Sequence, residues 1–214
     1  MRQLLVWVAF FTVLSSGVAL AEQSADFKEG VDYQLIKPAQ PTDDSDRVEV
    51  VEIFWYGCPH CYHFEPTLEP WVASAPKDVN FYRLPAVFND LWEVHARAYF
   101  TADILDVLEA SHTALFHAMH TERKRMNTVK QLSAFYQQYG IAPELFEKTY
   151  HSFVVNTRVA RAKEMVQRYG VTGVPAMVVE GKYLITGEMA KSYSNMLKII
   201  DFLVAKESLV KNNP

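Results

Sequence analysis

The stretch Val48 to Tyr56, VEVVEIFWY, is almost entirely β-branched or aromatic. A run of this kind has no polar face to give to water. It reads as a central strand covered on both sides, so the chain must supply a layer above it and a layer below. Glu52 is an acid at the centre of that run. Immediately after it come Gly57 and then Cys58-Pro59-His60-Cys61, which holds the only two cysteines in the chain.

The segment that follows, YHFEPTLEPWVASAP, is helical in composition but carries Pro66 and Pro70, which predict a kink or an early end. A second strand is expected at Val79–Val87. From there the pattern turns helical. Asn89 or Asp90 reads as an N-cap, Ser111 as the cap of a helix through His120, and Thr128 as the cap of another that ends before Gly140. Pro143 suits a first helical position, and a last helix from Phe153 closes at Gly170. This is a block of four or five helices. Strand character returns at Val174–Val179 and Lys182–Thr186, around a Glu180-Gly181 turn that signals a hairpin. Ser192 or Ser194 can cap a final helix. The order predicts an α/β domain interrupted by an all-helical insertion.

The first residues, MRQLLVWVAFFTVLSSGVALAEQ, combine Arg2, an apolar run too short to span a bilayer comfortably, and Ala19-Leu20-Ala21. They read as a secretory signal peptide, residues 1–21, cleaved after Ala21. Removing it takes away Arg2 and no acid, so the formal charge moves from −4 to −5. That balance argues against a nucleic-acid partner, and the basic cluster Arg123-Lys124-Arg125 reads as a solvated loop. Export places the cysteines in an oxidising compartment, where disulfides persist.

Two cysteines so spaced have several possible jobs. A bridge between them closes a loop worth only about 2 kcal/mol in chain entropy, little for a chain able to bury a large core. A closed zinc site needs four ligands; His60 lies between the cysteines, and no second ligand pair follows at finger spacing. Covalent haem needs a histidine where Tyr62 stands. The redox reading has a mechanism. A residue before proline avoids the α region, so Cys58 is expected to be extended, as an N-cap should be, with Pro59 at the first helical position. Cys58 then faces free backbone N–H groups and the positive end of the helix dipole, which favour its thiolate, and a charged or hydrogen-bonding His60 adds to them. Cys61, one turn further in, is expected to be shielded and Cys58 to be the exposed sulfur.

FWYGCPHCY after a buried strand, with TGVPAMVVEGKY far downstream, resembles the DsbA family of periplasmic thiol:disulfide interchange proteins over essentially the whole mature chain. The resemblance implies a thioredoxin fold with an inserted all-helical domain: residues 22–88 and 163–214 as the thioredoxin-like part and 89–162 as the insertion. It implies that Val174-Pro175 matches the family's cis-proline and helps align a substrate chain. It also implies that Glu52 is the family's buried glutamate, and that Arg83 stands where the family has a lysine. Arginine keeps the charge but does not release its proton, so a charge pair survives there and a proton relay through it does not.

The function implied is donation of the Cys58–Cys61 disulfide to unfolded exported proteins with free thiols, with an inner-membrane, quinone-linked partner of the DsbB type restoring the disulfide. No bound cofactor or metal is expected, and the chain is expected to be a monomer. Residues 22–47 are too few for the separate dimerisation domain of an isomerase. The alternatives are an isomerase or reductase, or a metal- or peptide-binding module without turnover.

Overall fold

The computed structural model describes residues 26–212; the expected signal peptide and its cleavage site lie outside the described residues. Five strands form one sheet in the order β1-β5-β4-β2-β3. β2, Val48–Phe54, is buried along its whole length and holds the centre. It pairs in parallel with β3, Val79–Pro85, and antiparallel with β4, Ala176–Val179. β4 and β5, Tyr183–Thr186, make the expected hairpin. Its turn places Glu180 and Gly181 at φ 51 and 59, and a Cβ on Gly181 would meet the Gln40 carbonyl oxygen at 2.3 Å, so the turn needs glycine there. The two-residue edge strand β1, Gln34–Leu35, has no sequence signature of its own.

Two apolar clusters cover the faces of the sheet, as a strand without a polar side requires. On one side Phe64 and Leu68 of α1, Pro59–Ser74, meet Met196, Ile199, Ile200 and Leu203 of α8, Tyr193–Asn212, over Val48, Val50, Met177 and Ile185. On the other, Val51, Ile53, Ala176 and Val178 pack against the helices between β3 and β4. These are α2 (Asp90–Ile104), α3 (Leu108–His120), α4 (Val129–Tyr136), a 3-10 turn at Gln137–Tyr139, α5 (Pro143–Tyr150) and α6 (Phe153–Arg168). The Asn89 side chain accepts from the Leu91 and Trp92 N–H groups, and Thr128 and Ser152 cap α4 and α6 in the same way. α6 crosses the division expected between residues 162 and 163 without a break. A short helix, α7 (Gly187–Ala190), precedes α8, whose first turn is capped by Ser192.

Three local expectations need correction. Ser111 does not start a helix: α3 begins three residues earlier, and the buried Ser111 hydroxyl donates to the Val107 carbonyl one turn back, which satisfies a hydroxyl inside a helix. Pro66 and Pro70 neither end nor interrupt α1. Both are exposed and lie four apart on its solvent face. β2 stops at Phe54, and Trp55 and Tyr56 belong to the turn that leads into α1.

Candidate active site

Cys58 caps α1 with extended backbone, φ −88 and ψ 116, and Pro59 takes the first helical position. Its sulfur accepts the Cys61 N–H at 3.4 Å. As a thiol it donates to the Val174 carbonyl, also at 3.4 Å, from the loop before β4. The Val174-Pro175 bond is cis. Residues 116 apart in sequence thus meet because β4 runs beside β2 and delivers its leading loop to the end of the sheet where α1 starts.

The two sulfurs sit in different surroundings. The Cys58 thiol is lowered to about 6. The hydrogen bond with Cys61 is the largest cause, burial opposes it, and the backbone N–H groups of Cys61 and His60 and the His60 imidazole add to the lowering. Cys61 is pushed well above its ordinary value by burial first, then by Cys58 and by the charge of Glu52. Cys61 is fully buried, as expected, but Cys58 is not the exposed sulfur: it is 7 % exposed, screened by the loop that carries Val174. His60 is exposed, and its carbonyl accepts the Tyr193 hydroxyl at 2.9 Å. Beside it opens a cavity of about 620 Å3, lined by His60, Val174, Pro175, Thr186, Tyr193 and Met196 among others.

Beneath the cysteines lies a buried ionic network. Glu52 and Arg83 are register partners across β2 and β3, and the Arg83 Nε–H donates to Glu52 at 2.9 Å. The same guanidinium reaches two carboxylates that sequence reading passed over, Glu65 at 3.5 Å and Glu69. Cys61, Glu65 and Glu69 are four apart along α1, so helical spacing alone places both acids on the face that carries Cys61. His112 of α3 closes the network: its Nε2 faces Glu65 at 3.7 Å and its Nδ1 lies 2.8 Å from the Tyr56 hydroxyl. Burial, then Glu65, push the Glu52 carboxyl up, and Arg83 only partly offsets them. Burial also raises Glu65, but His112 and Arg83 outweigh it and leave Glu65 below the usual carboxylate value.

Among the described residues no group of three or more His, Cys, Asp or Glu side chains is placed to hold a metal ion. No helix among them is long and apolar enough to cross a membrane.

Residues 49–198 match the family model of the DSBA-like thioredoxin domain. The chain belongs to this family. It is 40 % identical to the thiol:disulfide interchange protein DsbA of Pseudomonas aeruginosa over 194 residues, which covers 91 % of this chain and 92 % of that one. It is 37 % identical to the DsbA of Pseudomonas syringae pv. tomato over 207 residues, covering 97 % and 96 %. Its fold is similar to the crystal structure of Pseudomonas aeruginosa DsbA, with a TM-score of 0.83 and 39 % identity, covering 88 % of this chain and 98 % of that one. It is similar also to the oxidoreductase DsbA from Xylella fastidiosa, at a TM-score of 0.79 and 38 % identity, covering 84 % and 97 %. The fold is therefore the DsbA-type thioredoxin fold with a helical insertion, and the chain is a thiol:disulfide oxidoreductase.

Proposed function

We propose that this chain is an exported oxidase which donates its Cys58–Cys61 disulfide to newly translocated proteins with free thiols. The observation that carries the reading is the asymmetry of the pair: Cys58 is held towards thiolate at a helix N-terminus, and Cys61 is buried and held towards thiol. A depressed cysteine and an oxidising potential are general properties of this family, and the geometry here is of that kind.

A substrate thiolate attacks the Cys58 sulfur. A substrate–Cys58 bond forms, the Cys58–Cys61 bond breaks, and the electron pair leaves on Cys61, which takes up a proton. A second substrate thiolate then attacks the substrate sulfur of the mixed disulfide and expels Cys58 as a thiolate. The substrate gains a disulfide and the protein is left as the dithiol. Because Cys58 is the better-stabilised thiolate, it leaves easily, and the equilibrium favours the reduced protein.

In this reading Pro59 holds the cap open and His60 supports the Cys58 thiolate. Val174 and Pro175 present backbone to the substrate chain, and Glu52 and Arg83 set the charge beneath Cys61. A membrane quinone-linked partner of the DsbB type reoxidises the pair, and no further cofactor is required. We place the chain in the periplasm as a monomer, released by cleavage after Ala21. We divide it as 22–88 with 163–214, the thioredoxin-like unit, and 89–162, the helical insertion, with α6 shared between them.

The test is the reduction potential, measured with oxidation of a reduced, unfolded substrate. A potential far above that of thioredoxin, about −270 mV, with stoichiometric transfer is expected. A thioredoxin-like potential overturns the oxidase reading.

A further inference from the structure

Three carboxylates surround one guanidinium beneath the cysteines. Arg83 contacts Glu52, Glu65 and Glu69, and of these Glu52 and Glu65 are buried. Glu69 is half-exposed and has water for its charge, but Arg83 cannot neutralise both buried acids, and uncompensated buried charge is costly, so the buried pair holds a proton. Which carboxyl carries it matters, because the charge of Glu52 acts on Cys61.

The neighbours of His112 settle the matter. Its ring is buried within a wall of Phe54, Phe116 and Tyr99. The charged and titratable groups facing it are Tyr56 after β2, Glu65 from α1, Arg83 from β3, Tyr99 from α2 and Glu109 from its own helix. Burial holds the Tyr56 hydroxyl in its protonated form and the imidazole in its neutral form. The hydroxyl therefore donates to Nδ1, and the neutral ring carries its own hydrogen on Nε2, the atom that faces Glu65. Nε2 and both Glu65 oxygens are buried and make no hydrogen bond of ordinary length; the polar neighbours of Glu65 are Nε2 at 3.7 Å, Arg83 at 3.5 Å and Glu69, and buried polar groups of this kind are seldom left without a role.

We propose that His112, held by the Tyr56 hydroxyl, is a positioning residue that decides which of the two buried carboxyls carries the proton: Glu52 rather than Glu65. An Nε2–H aimed at Glu65, with Arg83 on its other side, supports the Glu65 carboxylate. Glu52 faces Arg83, Glu65, Glu69 and Cys61, and one of its oxygens is buried without a partner. It is therefore the carboxyl that keeps its proton. An uncharged Glu52 allows Cys61 to depart with its electron pair, and an ionised Glu52 opposes that departure. His112 touches neither sulfur and acts on the leaving group through two carboxyls. This inference rests on the disulfide-donation reading above.

The experiment is the pH dependence of disulfide transfer from the oxidised protein to a reduced cysteine peptide. It is measured for the wild type, His112→Leu, His112→Gln, Glu52→Gln and the double variant His112→Leu with Glu52→Gln. Ratios to the wild type cancel the titration of the peptide thiol. In His112→Leu, Glu65 takes the proton and Glu52 ionises earlier. The rate should then begin to fall at a pH lower by about one unit, the scale of moving one charge between adjacent buried groups. His112→Gln, with a donor and an acceptor in similar places, should keep the wild-type profile. In the Glu52→Gln background His112→Leu should change nothing further.

A His112→Leu profile that superimposes on the wild type overturns the proposal, as does an effect of equal size with and without Glu52. If His112→Leu does not fold, Tyr56→Phe takes its place. Loss of the hydroxyl frees the tautomer, a smaller shift in the same direction is expected, and no shift overturns the idea. A wild type that transfers no disulfide sinks the oxidase reading instead, so the two failures are distinguishable.

Discussion

The mouth and the floor of the site, one helical turn apart, treat the same kind of sulfur in opposite ways. At the mouth Cys58 receives backbone and thiol hydrogen bonds at the start of α1, beside the cavity lined by His60, Val174 and Pro175. At the floor Cys61 is fully buried over a network that crowds three carboxylates around Arg83. Donors favour charge at the first position, while burial and a neighbouring acid oppose it at the second. In the proposed mechanism a disulfide set between two such environments breaks in a preferred direction.

The comparison can be broken most completely at the mouth. Cys58→Ser removes the sulfur that the proposed mechanism has substrate attack, and the oxidation of a reduced, unfolded protein should fall to the background rate in a thiol-consumption assay. Full activity in that variant would remove the catalytic reading altogether. The floor is next in size. Arg83→Met leaves buried carboxylates without a cation, which should cost about 3–5 kcal/mol in urea unfolding. Arg83→Lys, which keeps the charge but loses the fork, should cost distinctly less. Equal costs would mean that charge is not what the floor needs.

The third test uses pH. The folded Cys58 value of about 6 lies below the unfolded one, so between them the unfolded reduced chain binds a proton that the folded chain does not. The contribution of Cys58 to the stability of the reduced protein relative to the oxidised should therefore rise from about pH 6 towards pH 8.5, by up to about 1.4 kcal/mol per unit, and be lost on acidification through 6. Paired denaturation curves at pH 5 and pH 8 measure it, and a difference that does not change with pH contradicts the assignment. The smallest effect is expected from His60→Ala. The imidazole is the last of the causes that lower Cys58, and the His60 N–H survives the substitution. The thiolate midpoint, followed by ultraviolet absorbance, should rise by about one unit or less. A return to an ordinary thiol value would move the origin of the asymmetry from the backbone to this side chain.

Much of the mouth is legible in the sequence because it is local. Cys58, Pro59 and Cys61 occupy the cap, first and third positions of one helix start, and proline restricts the residue before it whatever the rest of the chain does. The hairpin is legible for the same reason: Glu180-Gly181 and its flanking strands are contiguous. The floor is less so. Glu52 stood out as an acid in an apolar strand, and Glu65 and Glu69 carried a signal in their four-residue spacing from Cys61. His112 carried none, since one histidine in a helix of the insertion looks like any other. Ser111 and the two prolines of α1 misled for a related reason. A serine caps or back-bonds, and a proline breaks or is tolerated, according to which face of the helix meets water.

By itself, then, the sequence determined that a buried strand runs into a cysteine-capped helix and that helices interrupt the sheet, and it pointed to Cys58 as the sulfur placed to favour a thiolate. These follow from spacing, cap chemistry and composition, which act over a few residues. Only the tertiary structure decided that the Val174 loop screens Cys58, that the cavity forms between His60 and Tyr193, and that Arg83 serves three acids with His112 behind one of them. Those contacts join segments far apart in the chain, so they arise from how the sheet is ordered and how α1 and α3 pack, which no local pattern encodes.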